Sequence, residues 1–286
     1  MLKRINWRNI FIGFAWLLSL SGLVVLMSFI EVKKSTTICK AVKVYIPGSE
    51  YFIDKQEVDH ILQSGNYKLV GLRMDHINTH ALENSLKANP FIEYAKVYGD
   101  MDGVLIIEIS QRQPILRMLN KFDQDFYIDK NGLKVPLSPN FTARVLAVNG
   151  YIEEPFGGKV DSLISQVAKD VYKTVDYIRQ DELWNAQIAQ VFVNANKEIE
   201  LIPRVGNQRI LLGNADSLDV KFKNLLGFYQ QALPKMGWDA YKTINIKYTN
   251  QVIGIKNTKA DSLKAAAKPV LADSAQLTKD TSQIKH

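Results

Sequence analysis

Two histidines have the spacing of a metal-binding pair. His76 and His80 stand four positions apart in the run HINTH, which lies in a predicted helix. That spacing puts both imidazole rings on one helix face, where they can bind a metal ion. The run lacks the glutamate of the H-E-x-x-H motif of metalloproteases, and no third ligand is close in sequence. We therefore interpret both residues as solvent-facing histidines and predict no metal site.

Residues for other catalytic chemistry are equally scarce. The sequence contains neither the G-x-S-x-G motif of hydrolases nor the G-x-x-x-x-G-K-[ST] phosphate loop. Glu153 and Glu154 are adjacent, but they precede Pro155 in a predicted loop. We predict no catalytic residue, no cofactor and no enzymatic activity. A membrane-anchored hydrolase of cell-wall material is one alternative, because a glycosidase needs only two well-placed carboxylates.

Cysteine content and charge exclude further classes of protein. The single cysteine, Cys39, excludes a disulfide framework and a zinc site built on several thiolates. The net charge is +7, but the basic excess lies in residues 1–34 and 258–286. The sequence between them is close to neutral and has no basic stripe, which argues against a nucleic-acid partner.

The N-terminal region contains an uncharged run that fits a membrane span. Residues Ile10 to Ile30 form 21 consecutive uncharged positions, and a helix of that length extends about 31 Å, the thickness of a bilayer core. The run is longer than the apolar region of a signal peptide and is not followed by a small-residue cleavage site. The sequence therefore predicts an uncleaved transmembrane helix over residues 10–30. The predicted membrane-anchor residues are Ile10, Trp16, Leu20, Val25 and Ile30.

Charge gives only a weak preference for the orientation of this helix. Basic residues precede and follow it, whereas long folded domains are exported largely regardless of charge. We predict that residues 1–9 form a cytoplasmic leader and that residues 31–286 lie on the other side of the membrane.

Residues 38–112 are predicted to form a β-α-α-β-β module. The first strand covers residues 41–46, and Asp54 is predicted to cap a helix with an apolar face. A second helix is predicted from about His76 to Lys87, with Asp75 as its N-cap, and Asn89-Pro90 ends it. Two strands, 91–98 and 104–110, then form a hairpin.

Residues 113–257 are predicted to form a mixed β domain with two long helices. Asn131-Gly132 predicts a hairpin turn between apolar runs. Apolar periodicity predicts helices over 161–179 and 217–233, and strands over 188–193, 199–203, 208–212 and within 243–255. The whole fold is thus expected to be α+β. Residues 258–286 have almost no large apolar side chains and are predicted to be a disordered tail.

Several motifs of the chain resemble those of the FtsQ/DivIB family of bacterial cell-division proteins. They include LKANPFI at 86–92, AKVY at 95–98 and the stretch from Val104 to Arg117, where an apolar strand is followed by Pro114 and Arg117, which fit a family pattern. The second domain contributes two further matches, formed by Asp129, Gly132, Val135 and Pro136, and by Leu212, Gly213, Lys221 and Leu225. The resemblance covers about residues 10–257 and implies a POTRA domain at 38–112, followed by an FtsQ-type β domain at 113–257.

The final predicted strand is the candidate binding site. Ile244, Ile246 and Tyr248 alternate with Asn245, Lys247 and Thr249. Because this strand comes last, we predict that it lies at the sheet edge, where it either accepts a partner strand or is kept apart by nearby lysines. The resemblance favours binding, since residues 244–248 fit the family pattern V-D-L-R-Y. Residues 249–255 depart from that pattern.

The resemblance implies a scaffold of the cell-division machinery. It would be a single-pass protein of the inner membrane at the division septum, with a cytoplasmic N-terminus and a periplasmic C-terminal domain. Its partners would be FtsB-like and FtsL-like membrane coiled-coil proteins, and through them the septal peptidoglycan synthesis machinery. The expected binding residues are Ile244, Asn245, Ile246, Lys247, Tyr248 and Thr249. The alternative is a POTRA-containing envelope protein that binds unfolded or translocating polypeptides.

Overall fold

The computed structural model describes residues 7–48, 52–65 and 67–257. Contacts divide the chain into two compact units at Gln113/Pro114, and the segment Val135–Ala143 belongs to the first unit. The sequence had placed that segment in the second domain. The predicted tail 258–286 and most of the predicted leader 1–9 lie outside the described residues.

Helix α1 covers Trp7–Thr36, and its side chains are described for residues 11–27. Among the predicted anchor residues, Trp16, Leu20 and Val25 are exposed. The side chains of Ile10 and Ile30 lie outside the described ones. Within the described part of the chain, no helix is both long enough and apolar enough to cross a membrane. The transmembrane span therefore stays a prediction.

After α1, the first unit forms a three-stranded sheet with two helices. Its elements are β1 Ala41–Tyr45, α2 Lys55–Ser64, a 3-10 helix Met74–His76, α3 Thr79–Lys87, β2 Ile92–Gly99 and β3 Val104–Gln111. Strand β3 is central, parallel to β1 and antiparallel to β2. Apolar residues of α2 and α3 share one buried core with the sheet, among them Val58, Leu62, Leu82, Leu86, Val97 and Ile107. The predicted β-α-α-β-β order is confirmed.

The start of the second helix differs from the prediction. Asp75 lies in the 3-10 helix, and Ile77 is extended, so the helix cannot begin at residue 76. Asn78 is the N-cap of α3, and its side chain accepts a hydrogen bond from the backbone N–H of Ala81. An asparagine oxygen can satisfy a free N–H of the first turn as well as an aspartate can, so composition alone did not discriminate between them.

The second unit is built on a ten-stranded sheet. Its strands are β4 Pro114–Leu119, β5 Asp125–Asp129, β6 Leu133–Val135, β7 Leu146–Gly150, β8 Asp161–Ser162, β9 Ile188–Val193, β10 Ile199–Pro203, β11 Arg209–Gly213, β12 Tyr241–Asn245 and β13 Ile253–Lys256. Their order across the sheet is β13-β12-β11-β10-β9-β7-β4-β5-β6-β8. The predicted mixed sheet is confirmed, because the β4/β7, β7/β9 and β11/β12 pairs are parallel, whereas β9/β10 is antiparallel.

Four helices accompany this sheet: α4 Gln166–Gln180, α5 Glu182–Gln187, α6 Leu218–Gln231 and α7 Leu233–Met236. Helix α4 begins five residues after the predicted position of 161, because Asp161–Ser162 pair with β6 as β8. Ser165 caps α4 by accepting a hydrogen bond from the N–H of Ala168. Apolar residues of α4 and α6 share one core with the sheet, among them Val171, Val175, Phe222, Leu225, Val191 and Leu201.

Candidate functional site

The last two strands form one border of the large sheet. Strand β12 pairs with β11 in parallel, so that Ile210 lies opposite Ile244. On its other side β12 pairs with β13 in antiparallel orientation, and Asn245 lies opposite Ile253. Strand β13 ends the order of strands, and among the described residues no strand pairs with its outer side. The outer backbone groups of β13 are therefore available for a further strand.

The predicted position of residues 244–248 at the sheet edge is wrong. Strand β12 ends at Asn245 and lies inside the sheet, because the chain returns as β13 and occupies the outer position. The side chains of Ile244 and Ile246 are fully buried, and the backbone N–H of Ile246 donates to the carbonyl of Leu211 at 2.9 Å. Residues 244–246 therefore support the border and do not form its outer face.

The remaining predicted binding residues divide into a structural and an accessible group. The Asn245 side chain accepts a hydrogen bond from the backbone N–H of Lys247 at 3.0 Å. Lys247 also forms an ion pair with Glu198. The hydrogen bond within this ion pair raises the pKa of Lys247 and lowers the pKa of Glu198. Tyr248 and Thr249 are exposed, so these two side chains can reach a partner.

Sequence reasoning missed two apolar side chains on β13. Ile253, Ile255 and the nearby Tyr248 are between 40% and 53% exposed. The two isoleucines are two positions apart in a strand, so they point to the same side. We call the outer backbone of β13, with Tyr248, Ile253 and Ile255, the C-terminal edge. Their signal in the sequence was the short I-G-I alternation before the polar tail.

Gly254 allows β13 to pack closely on the sheet. A Cβ atom at this position would lie 2.6 Å from Cε1 of Tyr241 and 3.3 Å from Cζ of Phe228. Because the 2.6 Å distance is too short for a real Cβ contact, a larger residue at position 254 would require the Tyr241 ring to move. The face of β13 that carries Gly254 thus packs against the core of the second unit, whereas Ile253 and Ile255 are exposed on the other face.

A buried lysine holds the turn that lies beside Lys247. Lys221 of α6 is almost fully buried and donates to the carbonyl and the side-chain oxygen of Asn214, both at 2.9 Å. Burial lowers its pKa. Gly213, the preceding residue of that turn, has φ of +83°, and a Cβ there would lie 2.9 Å from Cγ of Lys247. Lys221 and Gly213 thus position the end of β12.

The candidate catalytic residues are not brought together. His76 belongs to the 3-10 helix and His80 to α3, so they do not share one helix face as predicted. No group of three His, Cys, Asp or Glu side chains suited to a metal occurs in the described residues. Glu153 pairs with Lys121 and Lys197, whose hydrogen bonds lower its pKa to about 2. Glu154 is buried in an ion pair with Lys134.

Comparison with known protein families assigns both units. A model described as POTRA-like domain matches residues 37–110. A model described as FtsQ/DivIB, C-terminal related, matches residues 113–255, which is half of the chain. The chain belongs to the FtsQ/DivIB family. A search of curated proteins finds no match.

Family membership confirms the resemblance seen in the sequence. FtsQ/DivIB proteins are a non-catalytic family of division scaffolds. Membership therefore indicates a scaffold role in cell division, protein partners in the division complex and association with the membrane at the septum.

Proposed function

We propose that the protein is a single-pass scaffold of the division machinery in the inner membrane. Residues 1–9 lie in the cytoplasm, residues 10–30 cross the bilayer, and the two folded units lie in the periplasm. The 21 uncharged residues from Ile10 to Ile30 support this arrangement, since about 20 apolar residues are needed for a span. Membership in a family associated with the membrane at the septum is consistent with it.

The observation that carries the binding proposal is the outer side of β13, which no strand of the described residues pairs with. A strand from an FtsB-like or FtsL-like coiled-coil protein adds to this side, and main-chain hydrogen bonds supply affinity. Tyr248, Ile253 and Ile255 then contact alternate side chains of the partner and supply specificity. Thr249 flanks the contact, whereas Ile244, Asn245, Ile246 and Lys247 hold the acceptor strand in place. The bound partners link the scaffold to septal peptidoglycan synthesis, and no catalytic turnover is required.

The alternative of an envelope protein that handles unfolded or translocating polypeptides is not favoured. It would rest on the POTRA-like domain alone, which accounts for residues 37–110. The second unit instead matches the C-terminal domain of a family of division scaffolds.

The localisation of the full chain tests the division role. An N-terminal fluorescent fusion that complements loss of the native protein is expected at mid-cell before constriction begins. Uniform fluorescence around the envelope from such a functional fusion would contradict the proposal.

Variants of the C-terminal edge test the binding site. The double variant Ile253→Asp/Ile255→Asp places charges on the contact and is expected to weaken binding of the coiled-coil partners about tenfold or more. Ile164→Asp is the control, because Ile164 is also an exposed isoleucine of the second unit, at 61%, and is distant in sequence from β13. Binding is measured by titration in detergent. Equal loss of affinity in both variants would rule out a specific site at β13.

A further inference from the structure

Besides the C-terminal edge of the second unit, an exposed apolar surface lies on the first unit, where the chain leaves α1. Ile38, Val70, Leu72 and Met101 are between 43% and 63% exposed. They come from three separate segments: the linker after α1, the loop before the 3-10 helix, and the turn between β2 and β3. We call these four side chains the proximal patch.

Backbone hydrogen bonds hold the three segments together. In the linker, the N–H of Cys39 donates to the carbonyl of Leu72 and the carbonyl of Cys39 accepts from Gly71, both at 2.8 Å. The N–H of Lys40 donates to the carbonyl of Gly103 at 2.7 Å. The linker therefore lies between the loop and the turn as an ordered part of the unit.

Two glycines in these contacts have backbone conformations that favour glycine. Gly71 has φ of +92° and Gly103 has φ of +85°, and a Cβ on Gly103 would lie 2.5 Å from the carbonyl oxygen of Ile38. The close approach keeps the turn against the linker, so the apolar side chains are presented on a fixed backbone. A surface that is ordered and apolar in this way is typical of a binding site.

The length of chain between the patch and the uncharged run identifies the occupant. Helix α1 ends at Thr36, six residues after Ile30, which corresponds to about 9 Å of helix. The polar headgroup layer adds roughly 5–8 Å on each side of the hydrocarbon core. If residues 10–30 span the bilayer, α1 ends within a few Å of the outer limit of the headgroup layer. The membrane is then the nearest apolar environment to the proximal patch.

We propose that the proximal patch inserts into the bilayer surface next to α1. The inference rests on the transmembrane span of the proposed function. The four side chains bury themselves at the boundary between headgroups and acyl chains, as interfacial segments do. The first unit is then fixed to the membrane by two contacts, α1 and the patch, and its orientation to the bilayer is restricted.

Apolar burial, and not lipid charge, drives this contact. The exposed Lys40 and Lys68 lie in the same segments as the patch, but Asp100 and Asp102 lie in the turn with Met101. Opposite charges in such proximity give no strong field toward anionic lipids. The insertion is therefore expected to persist at high salt, which separates it from binding by a basic patch.

The test uses the full chain in vesicles of phosphatidylethanolamine and phosphatidylglycerol. A fluorescent NBD label is placed on Val70→Cys or on Met101→Cys, and the unsubstituted protein measures background labelling of the buried Cys39. Tyr94→Cys is the control, because Tyr94 is also exposed, at 51%, but lies five residues along β2 from the end of this strand at Gly99, about 17 Å away. Labels at 70 and 101 are expected to be quenched about twofold more strongly by spin-labelled lipid than the control.

Carbonate extraction of the same vesicles separates the two ways in which the inference can fail. Resistance to extraction, with equal quenching at all three positions, would overturn the membrane contact and leave the transmembrane span intact. Extraction of the protein would remove the span and the inference together. Resistance combined with selective quenching at positions 70 and 101 supports both.

Discussion

At the scale of single residues, the second unit depends on one buried ion pair. Lys134 and Glu154 are both fully buried, and their charged atoms are 2.9 Å apart. The Glu154 carboxylate also accepts the backbone N–H groups of Ile164 and Ser165, at the start of α4. The adjacent Glu153 and Glu154 therefore have different structural roles, since Glu153 lies at the surface.

Removing one charge of this pair should destabilise the fold strongly. Glu154→Gln removes the nearer counter-charge of the buried Lys134 ammonium and leaves only the exposed Asp161 carboxylate, 3.8 Å away, which should cost up to about 3–5 kcal/mol. Urea unfolding of the wild type and the variant measures this difference. The double variant Lys134→Met/Glu154→Gln should recover part of the loss, because no buried charge remains. A single variant as stable as the wild type would contradict the assignment.

The same carboxylate makes the stability of the second unit depend on acid pH. Burial alone would raise the pKa of Glu154, but hydrogen bonds from the backbone of Ser165, from Lys134 and from the backbone of Ile164 lower it overall. A lowered pKa in the folded state stabilises the fold above the ordinary value of about 4.3. That contribution is lost as the pH falls through the folded value.

Unfolding by urea at a series of pH values from 7 downward tests this dependence. The free energy of unfolding of the wild type should fall below about pH 4.3, and that of Glu154→Gln should fall less steeply. The comparison is needed because the pKa of Glu153 is also lowered, to about 2, so protonation of Glu153 contributes to the loss of stability in acid as well. Parallel curves for the two proteins would exclude Glu154 as the source.

At the scale of elements, β12 and β13 have different roles in the candidate site. Strand β12 contributes Ile244 to the core, and Ile246 follows it there. Strand β13 provides the open edge and the exposed isoleucines. The alternation of apolar residues predicted a strand at this position, but alternation does not indicate which strands flank it. That depends on the return of the chain after residue 250.

Two substitutions two residues apart should therefore behave differently. Ile246→Ala creates a cavity in the core and should lower the free energy of unfolding by about 2–5 kcal/mol. Tyr248→Ala changes an exposed side chain and should alter it by no more than about 0.5 kcal/mol. Thermal melting followed by circular dichroism measures both, and Tyr248→Ala should weaken partner binding alone. Similar destabilisation by the two variants would show that both residues are core residues.

At the scale of the whole molecule, a segment of the second domain's sequence belongs to the first unit. Residues 135–143 are assigned there, and the Phe141 ring lies edge-to-face on Phe52 with centroids 4.9 Å apart. Phe52 in turn stacks on Phe91 at 5.6 Å. Three aromatic rings distant in sequence thus form one cluster, which the order of the elements did not predict.

Loss of this cluster should affect the first unit selectively. Phe141→Ala removes one aromatic pair and should cost about 1 kcal/mol beyond the loss of buried area. Hydrogen exchange followed by mass spectrometry should show faster exchange around Phe52 and Phe91. Strands β9 and β10 of the second unit provide the internal control, and faster exchange there as well would indicate a general loss of stability.

The sequence by itself determined the elements and the family. Local signals sufficed for the β-α-α-β-β order, for β9 and β10, and for the Asn131-Gly132 turn, because periodicity and turn chemistry act between residues close in the chain. The order of short motifs was enough to identify the FtsQ/DivIB family before any contact was known.

Only the tertiary structure decided which residues are accessible at the surface. The place of β12 inside the sheet, the open edge of β13 and the proximal patch all depend on contacts between segments far apart in sequence. Neighbouring strands are selected by the packing of the whole sheet, and exposure is a property of the assembled surface. Local patterns carry neither kind of information, so Ile244 and Ile246 were predicted to bind a partner but lie in the buried core.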